Sequence, residues 1–127
     1  MKILAIDFGT KRIGLAVSDE TQTLARELDI FSPKEFWQKL AGVLVEEQVE
    51  KILIGLPLNM SGQPTQKTSE AKQFAKQVES EVEVSVELVD ERLSSQMAES
   101  ISGSSKNLDS LAAQIFLQNY LDSKGRD

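Results

Sequence analysis

The chain of 127 residues is 40% apolar and 27% charged, proportions that suit one globular domain with its own core. It has no cysteine and no histidine, which excludes a disulfide framework, an imidazole base, a thiolate nucleophile and a conventional zinc site. A net charge of −6 argues against indiscriminate nucleic-acid binding, and no apolar run is long enough to span a bilayer.

Met1-Lys2 leads straight into a strand pattern rather than a signal peptide, and the absence of cysteine makes a cytoplasmic chain, with no membrane partner, the expectation. Residues 2–8 and 12–18 read as antiparallel strands joined by a short Gly-Thr-Lys turn. The first ends on Asp7, ahead of the cations Lys11 and Arg12. An apolar run that stops at a carboxylate suits a metal or phosphate site, and on this stretch alone a simple Asp-initiated turn fits slightly better. Residues 22–31 read as a third strand, although Leu24–Leu28 also fits a helix.

Ser32-Pro33-Lys34-Glu35 is a helix start, with Ser as cap, Pro in the first turn and Glu completing a capping box. Phe36, Leu40, Val43 and Leu44 carry its apolar face to about Gln48. Residues 51–56 form a short continuous apolar run, the pattern of a buried parallel strand. A polar loop over 57–65 follows, then a helix over 66–79 and an alternating strand over 82–89. Ser94 or Ser95 can cap a short helix through Met97 and Ile101. The last helix starts near Asn107, with Leu108, Leu111, Ala112, Ile115 and Phe116 on one stripe.

This order predicts an α/β fold: a mixed five-stranded sheet, three antiparallel strands then two parallel ones, with helices on both faces. The working crevice of such a sheet lies beyond the carboxyl ends of its parallel strands. Asp7, the Gly55-Leu56-Pro57 loop, Asp90 and Glu91 all arrive there. Without imidazole or thiol, hydrolysis there falls to carboxylates, hydroxyls, lysines or a hard divalent ion on oxygen ligands. Acids dominate from Asp19 to Glu50, and every charged residue from Glu79 to Glu91 is an acid. Lys11, Arg12, Arg92 and Lys106 stand beside the candidate acids, as a local basic rim or as part of a mixed solvated surface.

Four blocks in chain order then carry a resemblance. Ala5-Ile6-Asp7-Phe8-Gly9-Thr10-Lys11-Arg12-Ile13-Gly14-Leu15-Ala16-Val17-Ser18-Asp19 resembles the opening motif of the YqgF (RuvX) family of RNase H-like proteins. Gly55-Leu56-Pro57-Leu58-Asn59-Met60-Ser61-Gly62 is similar to its second block, and Asp90-Glu91-Arg92-Leu93-Ser94-Ser95 to its third. Lys106-Asn107-Leu108-Asp109-Ser110-Leu111-Ala112-Ala113-Gln114-Ile115 is similar to its fourth. Two places depart from the pattern: Ser61 stands where an acid is common, and residues 101–105 are short and Ser-rich where a longer basic connection is expected. Both bear on substrate geometry more than on chemistry.

The resemblance implies one RNase H-like nuclease domain over residues 1–127, acting in the cytoplasm on the 5′ end of the pre-16S ribosomal RNA. It makes Asp7, Glu91 and Asp109 the catalytic and metal-binding acids, for Mg2+ or Mn2+. Two such ions about 4 Å apart can activate a water and stabilise the leaving oxygen if carboxylates orient them. Lys11, Arg12, Asn59, Arg92 and Lys106 become contacts to nucleic acid, the guanidinium of Arg12 able to bind two phosphate oxygens. The plainer readings are that Glu91 is one more solvated acid and that Asp109 complements a helix dipole after an Asn107 cap. For Arg92, screening of the acids is an equal alternative. Asp19 and Asp90 read as acids of local or supporting use. The expected partner is structured RNA, in a ribosomal precursor particle, or else branched DNA. Two other functions compete: a non-catalytic assembly or transcription factor with this fold, and a phosphotransferase suggested by Asp-Phe-Gly-Thr, which needs a second domain that this length does not accommodate.

Overall fold

The computed structural model describes residues 1–58, 61–90 and 108–124, with side chains of the last helix described from Leu111 to Ser123. The strands are β1 (Lys2–Asp7), β2 (Ile13–Ser18), β3 (Ala25–Phe31), β4 (Val49–Leu56) and β5 (Ser85–Asp90). The helices are α1 (Pro33–Glu46), α2 (Gln66–Glu81) and α3 (Leu108–Lys124). The sheet order is β3-β2-β1-β4-β5, so β1 is the central strand. β1 pairs antiparallel with β2 and parallel with β4, β3 pairs antiparallel with β2, and β5 parallel with β4. This is the expected mixed sheet, three antiparallel strands then two parallel.

Alternation along the strands divides the interior into two layers. Leu4 and Ile6 of β1, with Ile52 and Ile54 of β4, pack on Phe36 and Leu40 of α1 and on Phe74, Ala75 and Val78 of α2. Ile3, Ala5, Ala16 and Leu53 face the other way, against Ala113, Phe116, Leu117 and Leu121 of α3. Because both faces of β1 and β4 are covered, these strands read as continuous apolar runs rather than alternating ones.

The elements depart from expectation mostly at their ends. β3 starts at Ala25 and not at residue 22, because residues 19–24 form a turn built on one carboxylate. Asp19 accepts from the Thr23 amide (2.8 Å), the Thr21 hydroxyl (2.8 Å) and the Leu24 amide (3.2 Å), while Gln22 takes a left-handed φ of 57°. α1 ends at Glu46, since the left-handed Gln48 (φ 55°) turns the chain directly into β4, which begins at Val49. α2 runs on to Glu81, and β5 begins only at Ser85, opposite Lys51. The short helix expected over residues 94–101 and the Asn107 start of the last helix lie outside the described residues. Among the described residues, no helix is long and apolar enough to cross a membrane.

The three donors, Thr23 first, hold the Asp19 carboxyl below its ordinary value of 3.8. A depressed folded-state pKa adds stability above the unfolded value, and that stability is lost as the pH falls through the folded one. Asp19→Ala should therefore lower the urea midpoint at pH 6, and the gap to the unsubstituted chain should narrow at pH 3. A gap that stays constant between the two would show that Asp19 does not titrate differently on folding.

Candidate active site

Asp7 stands at the carboxyl end of the central strand. It continues the Ile3–Ala5 row and so belongs to the face covered by α3, where it is half-buried. Its partner across the β1–β2 ladder is Gly14. On the other side Ile6 pairs with Ile54, and Gly55 follows on β4 as Asp7 does on β1. Asp7 is thus flanked on its own face by two buried glycines, which put backbone and no side chain on either hand. A buried glycine inside an otherwise apolar strand commonly marks close approach of a ligand or another backbone. Gly14 and Gly55 carry that signal in the sequence, but only their register beside Asp7 ties it to the site.

The turn beyond Asp7 is held from both ends. Phe8 points to the opposite face and stacks on Phe74 of α2, ring centroids 4.4 Å apart. At Gly9 a Cβ would lie 2.6 Å from the Arg12 carbonyl oxygen, closer than real Cβ atoms come, so any larger residue would force the turn open. Lys11 and Arg12 then sit exposed on the tip of this turn, beside the Asp7 end of the sheet.

The loop after β4 is fixed by a buried threonine. Thr68, in the first turn of α2, donates its hydroxyl to the Pro57 carbonyl and accepts from the Thr65 amide at 2.9 Å. Leu58 bridges to Pro64, and Gly62 closes the loop with φ 81°. Asp90 ends β5 opposite Leu56, exposed at the same end of the sheet. Asp19 is at the other end, in the β2–β3 turn, away from Asp7.

α3 is tied down near its carboxyl end. Gln118 accepts from the Ala25 amide (2.8 Å) and donates to the Thr23 carbonyl (2.9 Å), and Gln114 donates to the Ala25 carbonyl (3.1 Å). The Tyr120 hydroxyl accepts from Lys51 at 2.8 Å, and Lys51 also pairs with Glu87 at 3.0 Å. The Tyr120 hydroxyl and Glu87 together raise the Lys51 pKa above 10.5. Ala25 pairs with Ser18, whose hydroxyl accepts from the Ile3 amide, so this anchor lies level with Ile3. From Ile3 to Asp7 the strand rises about 13 Å. From Gln118 back to Asp109 the helix rises about the same distance. The first turn of α3, with the backbone of Asp109, therefore reaches the level of Asp7.

Of the residues singled out in the sequence, the structure brings Asp7, Lys11, Arg12 and the start of α3 to one end of the sheet. Asn59, Glu91, Arg92 and Lys106 lie outside the described residues, as does the side chain of Asp109. Among the described residues no group of three acids gathers, and Asp7 is the only one of the expected three whose side chain is described.

This sheet, with a central strand ending on an acid and helices on both faces, has the RNase H-like fold. Thermus thermophilus RuvC, solved in complex with a Holliday junction substrate, superimposes with a TM-score of 0.59 at 17% identity, over 98% of this chain and 96% of that one. The chain belongs to the RuvX family, whose model, described as Holliday junction resolvase, matches residues 1–123. Relatives bearing the name "Putative pre-16S rRNA nuclease" include one from Maridesulfovibrio salexigens, 40% identical over 95% of this chain and 98% of its own. Another, from Koribacter versatilis, is 36% identical over 99% of this chain and 90% of its own. A third, from Dictyoglomus thermophilum, is 35% identical over 100% of this chain and 99% of its own.

Proposed function

We propose that this chain, as one cytoplasmic nuclease domain, cleaves phosphodiester bonds at the 5′ end of pre-16S ribosomal RNA with the help of divalent metal. The observation that carries the reading is Asp7: a half-buried carboxylate on the central strand, between two glycines, level with the first turn of α3. The names of the full-length relatives support the substrate.

The donor chemistry fits Mg2+ or Mn2+. Asp7 supplies hard carboxylate oxygens, and a chain without histidine or cysteine lacks the imidazole and thiolate that softer metals favour. Asp7, Glu91 and Asp109 would hold the ions, with Asp7 central. Such ions, when bound, neutralise the phosphoryl group and generate a nucleophile from water at neutral pH. Gly14 and Gly55 add no side chain of their own beside Asp7. Lys11 and Arg12, on a turn braced by Gly9 and Phe8, would hold a neighbouring phosphate, with Asn59, Arg92 and Lys106 adding contacts along the strand.

Resolution of branched DNA is the second reading, favoured by the description of the family model and by the RuvC likeness in fold. One experiment separates the two. Purified protein is incubated with a labelled, 5′-extended 16S precursor, as free RNA or in a precursor particle, and with a four-way DNA junction, in Mg2+, Mn2+ or EDTA. Cuts in the RNA that require metal are expected. Cuts confined to the junction would move the function to DNA, and binding of RNA without cutting in either metal would leave an assembly factor.

A further inference from the structure

A second surface at the same end of the molecule is not accounted for by the acid site. On the α1/α2 side of the sheet, Phe8, Phe36, Trp37 and Phe74 form one aromatic cluster. Trp37 lies 5.0 Å from Phe36 edge-on and 5.6 Å from Phe74, centroid to centroid. Phe36 and Phe74 are buried, whereas Phe8 and Trp37 keep part of their surface in solvent. Three exposed lysines from three elements share this end of the molecule: Lys11 on the β1–β2 turn, Lys34 in the first turn of α1 and Lys67 in the first turn of α2. β3 runs parallel to β1, so α1 starts at the Asp7 end, as α2 does after the Pro57 loop.

Among the described residues, Lys11, Lys34 and Lys67 make no ion pair. Lys2, Arg26 and Lys51, towards the other end of the sheet, are each bound to a glutamate at 3.0–3.1 Å. Glu35, next to Lys34 in sequence, is engaged by the Ser32 backbone and hydroxyl in the capping box. Acids stand at this end too, Asp7, Glu70 and Asp90 among them, but they are denser at the far one, with Asp19, Glu46, Glu50, Glu79 and Glu81. A polyanion therefore meets less negative charge at this end than at the far one.

We propose that Phe8 and Trp37, with Lys11, Lys34 and Lys67 at the same end of the molecule, bind a single-stranded stretch of nucleic acid leading to Asp7. Bases lie against the two rings and phosphates against the lysines. A duplex keeps its bases stacked on one another and offers the rings nothing, whereas an unpaired strand offers a π-face at every nucleotide. This deepens the nuclease reading and rests on it: the substrate class becomes RNA with an unpaired segment beside the scissile bond.

Trp37 is the only tryptophan in the chain, so its fluorescence reports on the site directly. The full-length protein in EDTA, where no metal supports cutting, is titrated with a uridine oligonucleotide and with an RNA duplex of equal length. Quenching by the single strand is expected, with affinity at least about tenfold above that for the duplex. The logarithm of affinity should fall with log salt with a slope near −2, and Lys34→Gln with Lys67→Gln should reduce that slope to less than half. Trp37→Phe, followed by anisotropy of a labelled oligonucleotide, should weaken binding, and Phe8→Leu should do the same. A silent Trp37, equal affinity for the duplex, or an unchanged slope in the lysine variant would each overturn the proposal. If metal-dependent, Asp7-dependent cleavage persists in those cases, the nuclease reading stands alone. If cleavage never depends on Asp7 while Trp37 responds, that reading fails and the binding site survives.

Discussion

Asp7→Asn is expected to lower cleavage of the 5′-extended precursor by about a thousandfold or more while the chain still folds and still binds RNA. A carboxylate that orients divalent ions governs several kcal/mol of transition-state stabilisation, and each 1.36 kcal/mol is about a factor of ten. Asparagine keeps the shape and removes the charge. The β1 ladders to β2 and β4 are backbone bonds, which do not depend on the side chain at their last residue. The loss should appear in the single-turnover rate and not in the concentration of protein needed to saturate it. Asp90→Asn is the control, an exposed acid at the same end of the sheet whose loss should change the rate only slightly. A rate for Asp7→Asn within tenfold of the unsubstituted chain would remove Asp7 from the chemistry. Equal losses in both variants would point to the field of the acids and not to one ligand.

Much of this arrangement is legible in the amino-acid sequence, for reasons that differ by element. β1, β2 and β4 are readable because continuous apolar runs between turn residues leave few alternatives, and Ser32 to Glu35 announce α1 through a capping box that forms as expected. Sequence places Asp7 at a strand end, but not on a face. That requires the register that sets it beside Gly14 and in one row with Ile3 and Ala5. Asp19 is ambiguous in sequence for a related reason. A carboxylate beside Thr21 and Thr23 fits a turn or a ligand set equally well until the three donors that hold it are seen. The anchoring of α3 is hidden altogether, since Gln114 and Gln118 pair with the backbone of residues almost ninety positions or more away. The aromatic cluster is hidden in the same way: Phe8, Trp37 and Phe74 belong to three elements, and their spacing in sequence says nothing of their meeting.

The placement of α3 leads to the largest expected effect on stability. Leu117 is fully buried against Ile3, Ala5, Ala16 and Leu53, in a layer whose sheet side includes two alanines. Leu117→Ala should cost about 2–5 kcal/mol, because alanines on the sheet side cannot reach in to fill the space. The two faces of the sheet have separate cores, and Trp37 reports on the one that Leu117 does not touch. Urea unfolding followed by Trp37 fluorescence and by far-ultraviolet circular dichroism therefore distinguishes two outcomes. If both signals move together to lower urea, the sheet transmits the damage and the chain unfolds as one unit. If helical signal is lost first, α3 leaves the sheet locally while the α1/α2 face persists. The second outcome has a functional consequence: among the described residues, the docking of this helix is what holds the backbone of Asp109 level with Asp7. Cleavage by Leu117→Ala should then fall further than its folded fraction, with binding at Trp37 retained. An unfolding midpoint unchanged by the substitution would show that α3 is not anchored through Leu117.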